Sequence, residues 1–223
     1  MSYTIARTNM IKQQLRTGNV LDERVLSLYS DIHRDAFVPS SMQSFAYSDM
    51  QIPLQHNQCM MTPLEEALLL ESLALQGHEV VLEVGTGTGF LTALLSRLCK
   101  KVISVDYYPE FTSKARQKLI EHNCSNVQCI TGDASNGWLD SAPYDVIVFT
   151  GGMISLSEMQ RLQLMPGGKI FAIAGKSPTM LGQLHCLDHH GHWDTQIIFE
   201  TSLPALISNR KQPDFDFQDK TTC

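Results

Sequence analysis

A chain of 223 residues with 43% hydrophobic and 18% charged residues has the apolar material for a buried core and about the length of one domain with terminal additions. Its 17 basic and 23 acidic residues leave a net charge of −6, which argues against a duplex nucleic-acid binder, whose footprint is a basic face. The opening Met1-Ser-Tyr-Thr-Ile-Ala-Arg lacks the apolar core of a signal peptide, no apolar run reaches the ~20 residues of a membrane helix, and the six cysteines form no CxxC pair, so a soluble cytoplasmic chain with free thiols is expected.

The first third reads as helix and loop. Residues 5–15 are helix-compatible, and Asp22 is placed to cap an amphipathic stretch through Val25, Leu26, Leu28, Tyr29 and Ile32. Pro39 and Pro53 interrupt residues 38–62, and Pro63 opens a helix over Leu64 to Leu75 from the favoured first-turn position. After Gly77 the pattern changes to short apolar runs alternating with helical stretches. Strands are expected at 80–84, 101–106, 127–131, 144–150 and 169–174, with helices at 90–98, 109–122 and 156–164. That alternation predicts a doubly wound, mostly parallel α/β sheet. Residues 181–187 and 193–200 form two further strand-like runs joined by Asp188-His189-His190-Gly191-His192, a hairpin that adds an antiparallel element. The last residues, Gln218 to Cys223, are expected to fray.

The chemistry centres on Glu83-Val84-Gly85-Thr86-Gly87-Thr88-Gly89, directly after the first strand. A glycine turn there brings backbone close to a ligand at the carboxyl end of the sheet. Dinucleotide enzymes space their glycines GxGxxG, whereas this chain has an acid followed by GxGxG, the form that S-adenosylmethionine-dependent methyltransferases use. Asp106 ends the second strand and can accept hydrogen bonds from ribose hydroxyls, with Tyr107 beside it. Gly132-Asp133-Ala134 ends the third strand, where an acid and small residues suit an adenine, and Thr150 ends the fourth. The expected cofactor is S-adenosylmethionine, with S-adenosylhomocysteine as its product. No Asn-Pro-Pro-Tyr-type tetrapeptide of a nucleic-acid methylase follows the fourth strand, where Thr150-Gly151-Gly152-Met153 stands.

Flanking motifs narrow the class. Arg34-Asp35-Ala36-Phe37-Val38-Pro39, Ala46-Tyr47-Ser48-Asp49, Ile52-Pro53-Leu54, the glycine loop with Phe90, Gly132-Asp133, Pro143-Tyr144-Asp145 and Pro166-Gly167-Gly168 together resemble the protein-L-isoaspartate O-methyltransferases, over about residues 5–206. The resemblance implies a Rossmann-like seven-stranded methyltransferase in one domain: a substrate-side helical segment (1–76), a cofactor-binding core (77–206) and a tail (207–223). It implies methylation of the α-carboxylate of isoaspartyl residues in damaged proteins, no nucleic-acid or membrane partner, and a monomer or homodimer. Other readings are a carboxyl or other O-methyltransferase with a different acceptor, and a catalytically silent S-adenosylmethionine-binding module.

One departure lies on the acceptor side. The family carries Thr-Ile-Ser-x-Pro, whose serine contacts the substrate carboxylate; aligned on Pro63, this chain reads Cys59-Met60-Met61-Thr62-Pro63. Methionine donates no hydrogen bond, and Thr62, though adjacent, points elsewhere, so the isoaspartyl reaction is expected to be weakened, lost or redirected. Cys59, Met60, Met61 and Pro204, the last in a loose match to the family's Val-Pro-Leu, are the substrate-side candidates. Glu65 and Glu66 after Pro63 would repel an anionic substrate. The cluster His185, His189, His190 and His192 reads as a polar turn rather than a metal site. Cys124 and Cys129 read as isolated thiols, and Cys59 as a nucleophile only if His56 serves it. Tyr47 and Asp49 either line the pocket or are structural.

Overall fold

The computed structural model describes residues 3–207, so the expected fraying of 218–223 lies outside the described residues. Seven strands form one sheet: β3 (Val80–Val84), β4 (Lys101–Asp106), β5 (Val127–Thr131), β6 (Tyr144–Met153), β7 (Leu164–Lys176), β8 (Thr179–Leu187) and β9 (Trp193–Thr201). Their order is β5-β4-β3-β6-β7-β8-β9. β5 to β7 run parallel, while β8 and β9 are antiparallel to their neighbours. The expected parallel sheet with an antiparallel close is therefore what folds. The strand order reverses between β3 and β6, and at such a switch point the carboxyl ends of neighbouring strands splay apart into a crevice.

The central strands read as unbroken apolar runs because both of their faces are covered. Alternate residues serve opposite sides. Val81, Val102, Val146 and Val148 belong to one core with the helices of the N-terminal half, and Leu82, Val84, Ile103, Val105, Ile147 and Phe149 to the other. The first core is roofed by helices α2 (Glu23–Asp31), α3 (Pro63–Leu73) and α4 (Phe90–Leu98). Asp22 caps α2 by accepting from the Arg24 amide at 2.8 Å. Helix α5 (Pro109–Glu121) packs on β4 and β5. A small hairpin, β1 (Ile52–Pro53) with β2 (Cys59–Met60), sits ahead of α3.

Several boundaries differ from expectation for local reasons. The first helix runs α1 (Tyr3–Met10) and then loosens into a π turn over Ile11–Leu15. α3 stops at Leu73 because Ala74 takes the left-handed conformation, φ 48°. The helix expected at 156–164 shrinks to α6 (Glu158–Arg161): Leu164 already pairs with Tyr144, so the chain returns to the sheet early. β6 runs three residues past Thr150, with its register against β7 shifting between Val148 and Gly152. Such a bulge re-aims the side chains it carries.

Candidate active site

A cleft of about 880 Å³, counting the space in its mouth, opens at the carboxyl ends of β3, β4 and β6. Its floor is the glycine loop. The Gly85 amide donates to the Val105 carbonyl at 2.8 Å, tying the loop to β4. Gly85 has φ +101° and Gly87 φ +52°, and a Cβ at Gly85 would overlap the Thr150 hydroxyl. Backbone without side chains is thus presented to whatever lies above. Asp106 grips the loop from β4: its Oδ2 accepts from the Gly87 amide at 2.8 Å and its Oδ1 from the Tyr108 amide at 2.9 Å. Burial raises its proton affinity and these amides oppose the rise. A carboxylate has about four acceptor positions, more than the loop amides occupy, so capacity remains for a hydroxyl in the cleft. This glycine-floored crevice with an acid at the end of its second strand fits an adenosyl ligand.

Most residues assigned to cofactor binding come together. Gly85, Thr86, Gly87, Thr88, Asp106, Tyr107, Gly132, Ala134 and Thr150 line the cleft. The β6 bulge brings in Thr150, whose hydroxyl donates to the carbonyls of Gly85 (2.8 Å) and Val84 (3.0 Å). Three others are not among the lining residues. Glu83 is fully buried, its Oε2 accepting from Thr92 at 2.5 Å and Ser104 at 2.6 Å. Ser104 in turn shares a 2.6 Å hydrogen bond with Thr86. Burial pushes the Glu83 carboxyl up to about 8, and its Oε1 has no hydrogen-bond partner among the described residues. The acid of the motif therefore braces the loop from below. Gly89 packs against α5, where a Cβ would come within 2.9 Å of the Ala115 side chain. Asp133 turns its Oδ1 to the Ser135 amide at 3.0 Å.

On the opposite wall, Cys59, Met60, Met61 and Pro204 all line the cleft. The β1–β2 hairpin delivers the first three. The Pro204 segment is stitched to β6, with the Gly152 amide donating to the Pro204 carbonyl and the Leu206 amide to the Gly152 carbonyl, both at 2.8 Å. Thr62 is absent from the wall because it caps α3: its hydroxyl accepts from the Glu65 amide at 3.1 Å, and the Glu65 carboxylate accepts from the Thr62 amide at 2.7 Å. Of the two acids after Pro63, only Glu66 faces the cleft. Cys59 is no activated nucleophile. Its thiol touches the Gln51 side-chain oxygen at 3.6 Å and burial pushes it up to about 11. His56 is stacked on Tyr108 instead, with ring centroids 3.9 Å apart. Tyr47 is structural: it is buried, its hydroxyl donates to Asp35, and neither it nor Asp49 lines the cleft. Cys124 and Cys129 carry free thiols. Among the described residues no group of His, Cys, Asp and Glu is arranged to hold a metal ion.

Sequence reading missed part of the wall: Leu54, Tyr108 and Phe111. Tyr108 and Phe111 carried a weak signal, since they directly follow the Asp106-Tyr107 strand end. Leu54 did not, because only the path of the hairpin loop lays it over Gly87.

Comparison with known proteins converges on the motif resemblance. The family model described as protein-L-isoaspartate (D-aspartate) O-methyltransferase matches residues 6–192. A protein-L-isoaspartate O-methyltransferase of Brucella anthropi is 30% identical over 95% of this chain and 97% of its own length. That of Myxococcus xanthus is 40% identical over 72% of this chain and 76% of its own. A solved protein-L-isoaspartate O-methyltransferase superposes with a TM-score of 0.78 at 25% identity, covering 91% of this chain; the chain spans 66% of that protein. A Plasmodium falciparum chain described as a β-aspartate methyltransferase in complex with S-adenosyl-L-homocysteine gives 0.75 at 15% identity over 94% of this chain and all of its own, which supports the fold. With the glycine-floored crevice, the strand-end acid and a family match spanning both walls, the chain belongs to the protein-L-isoaspartate (D-aspartate) O-methyltransferase family.

Proposed function

We propose that the chain transfers a methyl group from S-adenosylmethionine to the α-carboxylate of isoaspartyl residues in proteins or peptides, as one methyltransferase domain. Residues 1–76 and the Pro204 segment supply its acceptor wall, and the rest of 77–206 its cofactor wall. Asp106 is assigned to the ribose hydroxyls, the Gly85–Gly87 backbone to the amino-acid half of the methyl donor, and Gly132 to Ala134 to the adenine. The observation that carries this reading is the fit of the crevice: two glycines in left-handed backbone and a carboxylate with spare acceptor capacity face the same space. When bound, the methyl donor supplies an electrophilic sulfonium methyl. An α-carboxylate is already ionised at neutral pH, so the chain needs no base to activate it. Its residues place the two reactants in line and keep water out. Five described cysteines are free thiols, in keeping with a reducing, cytoplasmic setting.

Met61 is the weak point of the acceptor wall, because its thioether offers no proton to the carboxylate. Radiolabelled methyl transfer to an isoaspartyl peptide tests the reading. The natural chain is expected to form a base-labile methyl ester, and Met61→Ser is expected to raise kcat/KM roughly tenfold near pH 8, the worth of one hydrogen bond to a charged group. Tight S-adenosylhomocysteine binding with no transfer to isoaspartyl or any other peptide by either form would instead establish a silent binding module. Transfer only to other acceptors would establish a redirected enzyme.

A further inference from the structure

The acceptor wall holds a charged pair that the transfer reaction does not require. Glu66 lies in the wall beside Met60 and Met61 at 2% exposure. Its Oε2 accepts from Nη1 of Arg34. Arg34 is just as enclosed, lies 5.1 Å over the Phe90 ring, and donates from Nη2 to the Met61 carbonyl at 2.6 Å. One cation thus ties Glu66 to the backbone at the position where the resemblance calls for a serine.

Consider what an anionic acceptor meets there. If Glu66 is ionised, the pair carries no net charge and offers the acceptor no proton. If Glu66 is protonated, the pair carries a net +1 and its carboxyl becomes a hydrogen-bond donor. Enclosure magnifies the difference, because charge interactions strengthen as water is excluded. We propose that Glu66 takes up a proton as the isoaspartyl carboxylate binds, and donates to that carboxylate the hydrogen bond that Met61 does not supply. This rests on the isoaspartyl reading above.

The surroundings favour such uptake. Burial is the largest influence on Glu66 and pushes its carboxyl up to about 7, against the opposing pull of Arg34 and with a small push from Glu65. From β3, Glu83 shares the same interior and is itself raised by Glu66, and from α2 the buried Tyr29 phenol feels the Glu66 charge. Arg34 is the only cation among these groups. A carboxylate arriving beside Glu66 adds a like charge and raises its proton affinity further. Methylation turns the acceptor into a neutral ester and removes the charge that held the proton, which then returns to solvent on product release. The proton count balances over one turnover.

Calorimetric titration of an isoaspartyl peptide into the S-adenosylhomocysteine-loaded protein at pH 8, in two buffers of different ionisation heat, counts the protons directly. The natural chain is expected to take up about one proton per peptide and Glu66→Gln none. In initial-rate assays, kcat/KM of the natural chain is expected to fall about tenfold per pH unit above pH 7.5, while Glu66→Gln stays level and overtakes it. A merely structural ion pair would leave both profiles parallel. Peptide binding without proton uptake, or equal slopes in the two forms, overturns the proposal. Unchanged affinity of Glu66→Gln for S-adenosylhomocysteine verifies its fold, and the proton count on the natural chain decides the matter even if that variant does not fold. Peptide binding with no turnover would contradict the isoaspartyl reading while the proton count still judged Glu66, and failure of the peptide to bind would overturn both.

Discussion

At the scale of single residues, the site depends on side chains that serve two partners at once. Asp106 holds the Gly87 and Tyr108 amides while facing the cleft. Asp106→Asn keeps the shape but turns one acceptor into a donor, so one backbone amide meets another N–H. Losing a charge-assisted hydrogen bond of about 1.5–3 kcal/mol predicts S-adenosylhomocysteine affinity lower by roughly 10- to 100-fold by calorimetry. Unchanged affinity would remove Asp106 from the cofactor site. Residue type alone pointed to Asp106, Gly85 and Thr150, which line the cleft, because each stands at or just after the end of a strand expected from the sequence. It misjudged Glu83 and Gly89, whose motif positions look like ligand contacts. Their work is internal: Glu83 ties the loop to Ser104 and Thr92, and Gly89 lets α4 approach α5.

At the scale of elements, the N-terminus of α3 anchors the acceptor wall. The Thr62–Glu65 capping box and Pro63 fix where the helix begins, and so where Met60 and Met61 sit relative to the cleft. Thr62→Ala removes one half of the box and is expected to cost about 1 kcal/mol of stability in chemical denaturation, the usual worth of an N-cap. It should also weaken acceptor binding more than cofactor binding, since the glycine loop is built on other elements. Equal loss on both sides would contradict the division of the walls. Thr62 points away from the acceptor side, as its place after Met61 suggested, and the capping box with Glu65 is where its hydroxyl goes. Elements with strong periodicity, β3 to β5 with α4 and α5, lie where the pattern put them. α6 and the β6 extension did not, because pairing of Leu164 with Tyr144 and the bulge at Thr150 are tertiary decisions that no local pattern carries.

For the whole molecule, the buried acids make stability depend on pH. The carboxyls of Glu83 and Glu66 are held at about 8 and about 7, above the ordinary carboxylate value near 4.5. Each keeps its proton in the fold at pH values where the unfolded chain has released it. Their contribution is therefore full below about pH 4.5, declines as the pH rises, and is gone once the pH has passed through their folded values. Melting temperature is expected to fall between pH 6 and pH 8.5. Glu83→Gln, which mimics the protonated form, should flatten that fall by several degrees, at about 2–4 °C per kcal/mol for a chain of this size. A melting temperature that rose with pH would mean that Glu83 is ionised in the fold.

The claim on which the rest turns is that this cleft brings a methyl donor to an isoaspartyl carboxylate. Two peptides identical except for one isoaspartyl or one normal aspartyl residue, each incubated with the natural chain and labelled S-adenosylmethionine, put it to the most direct test. Label is expected in the isoaspartyl peptide as a base-labile ester, with little in its aspartyl twin. Equal labelling of both, or none in either while another acceptor is methylated, would contradict it.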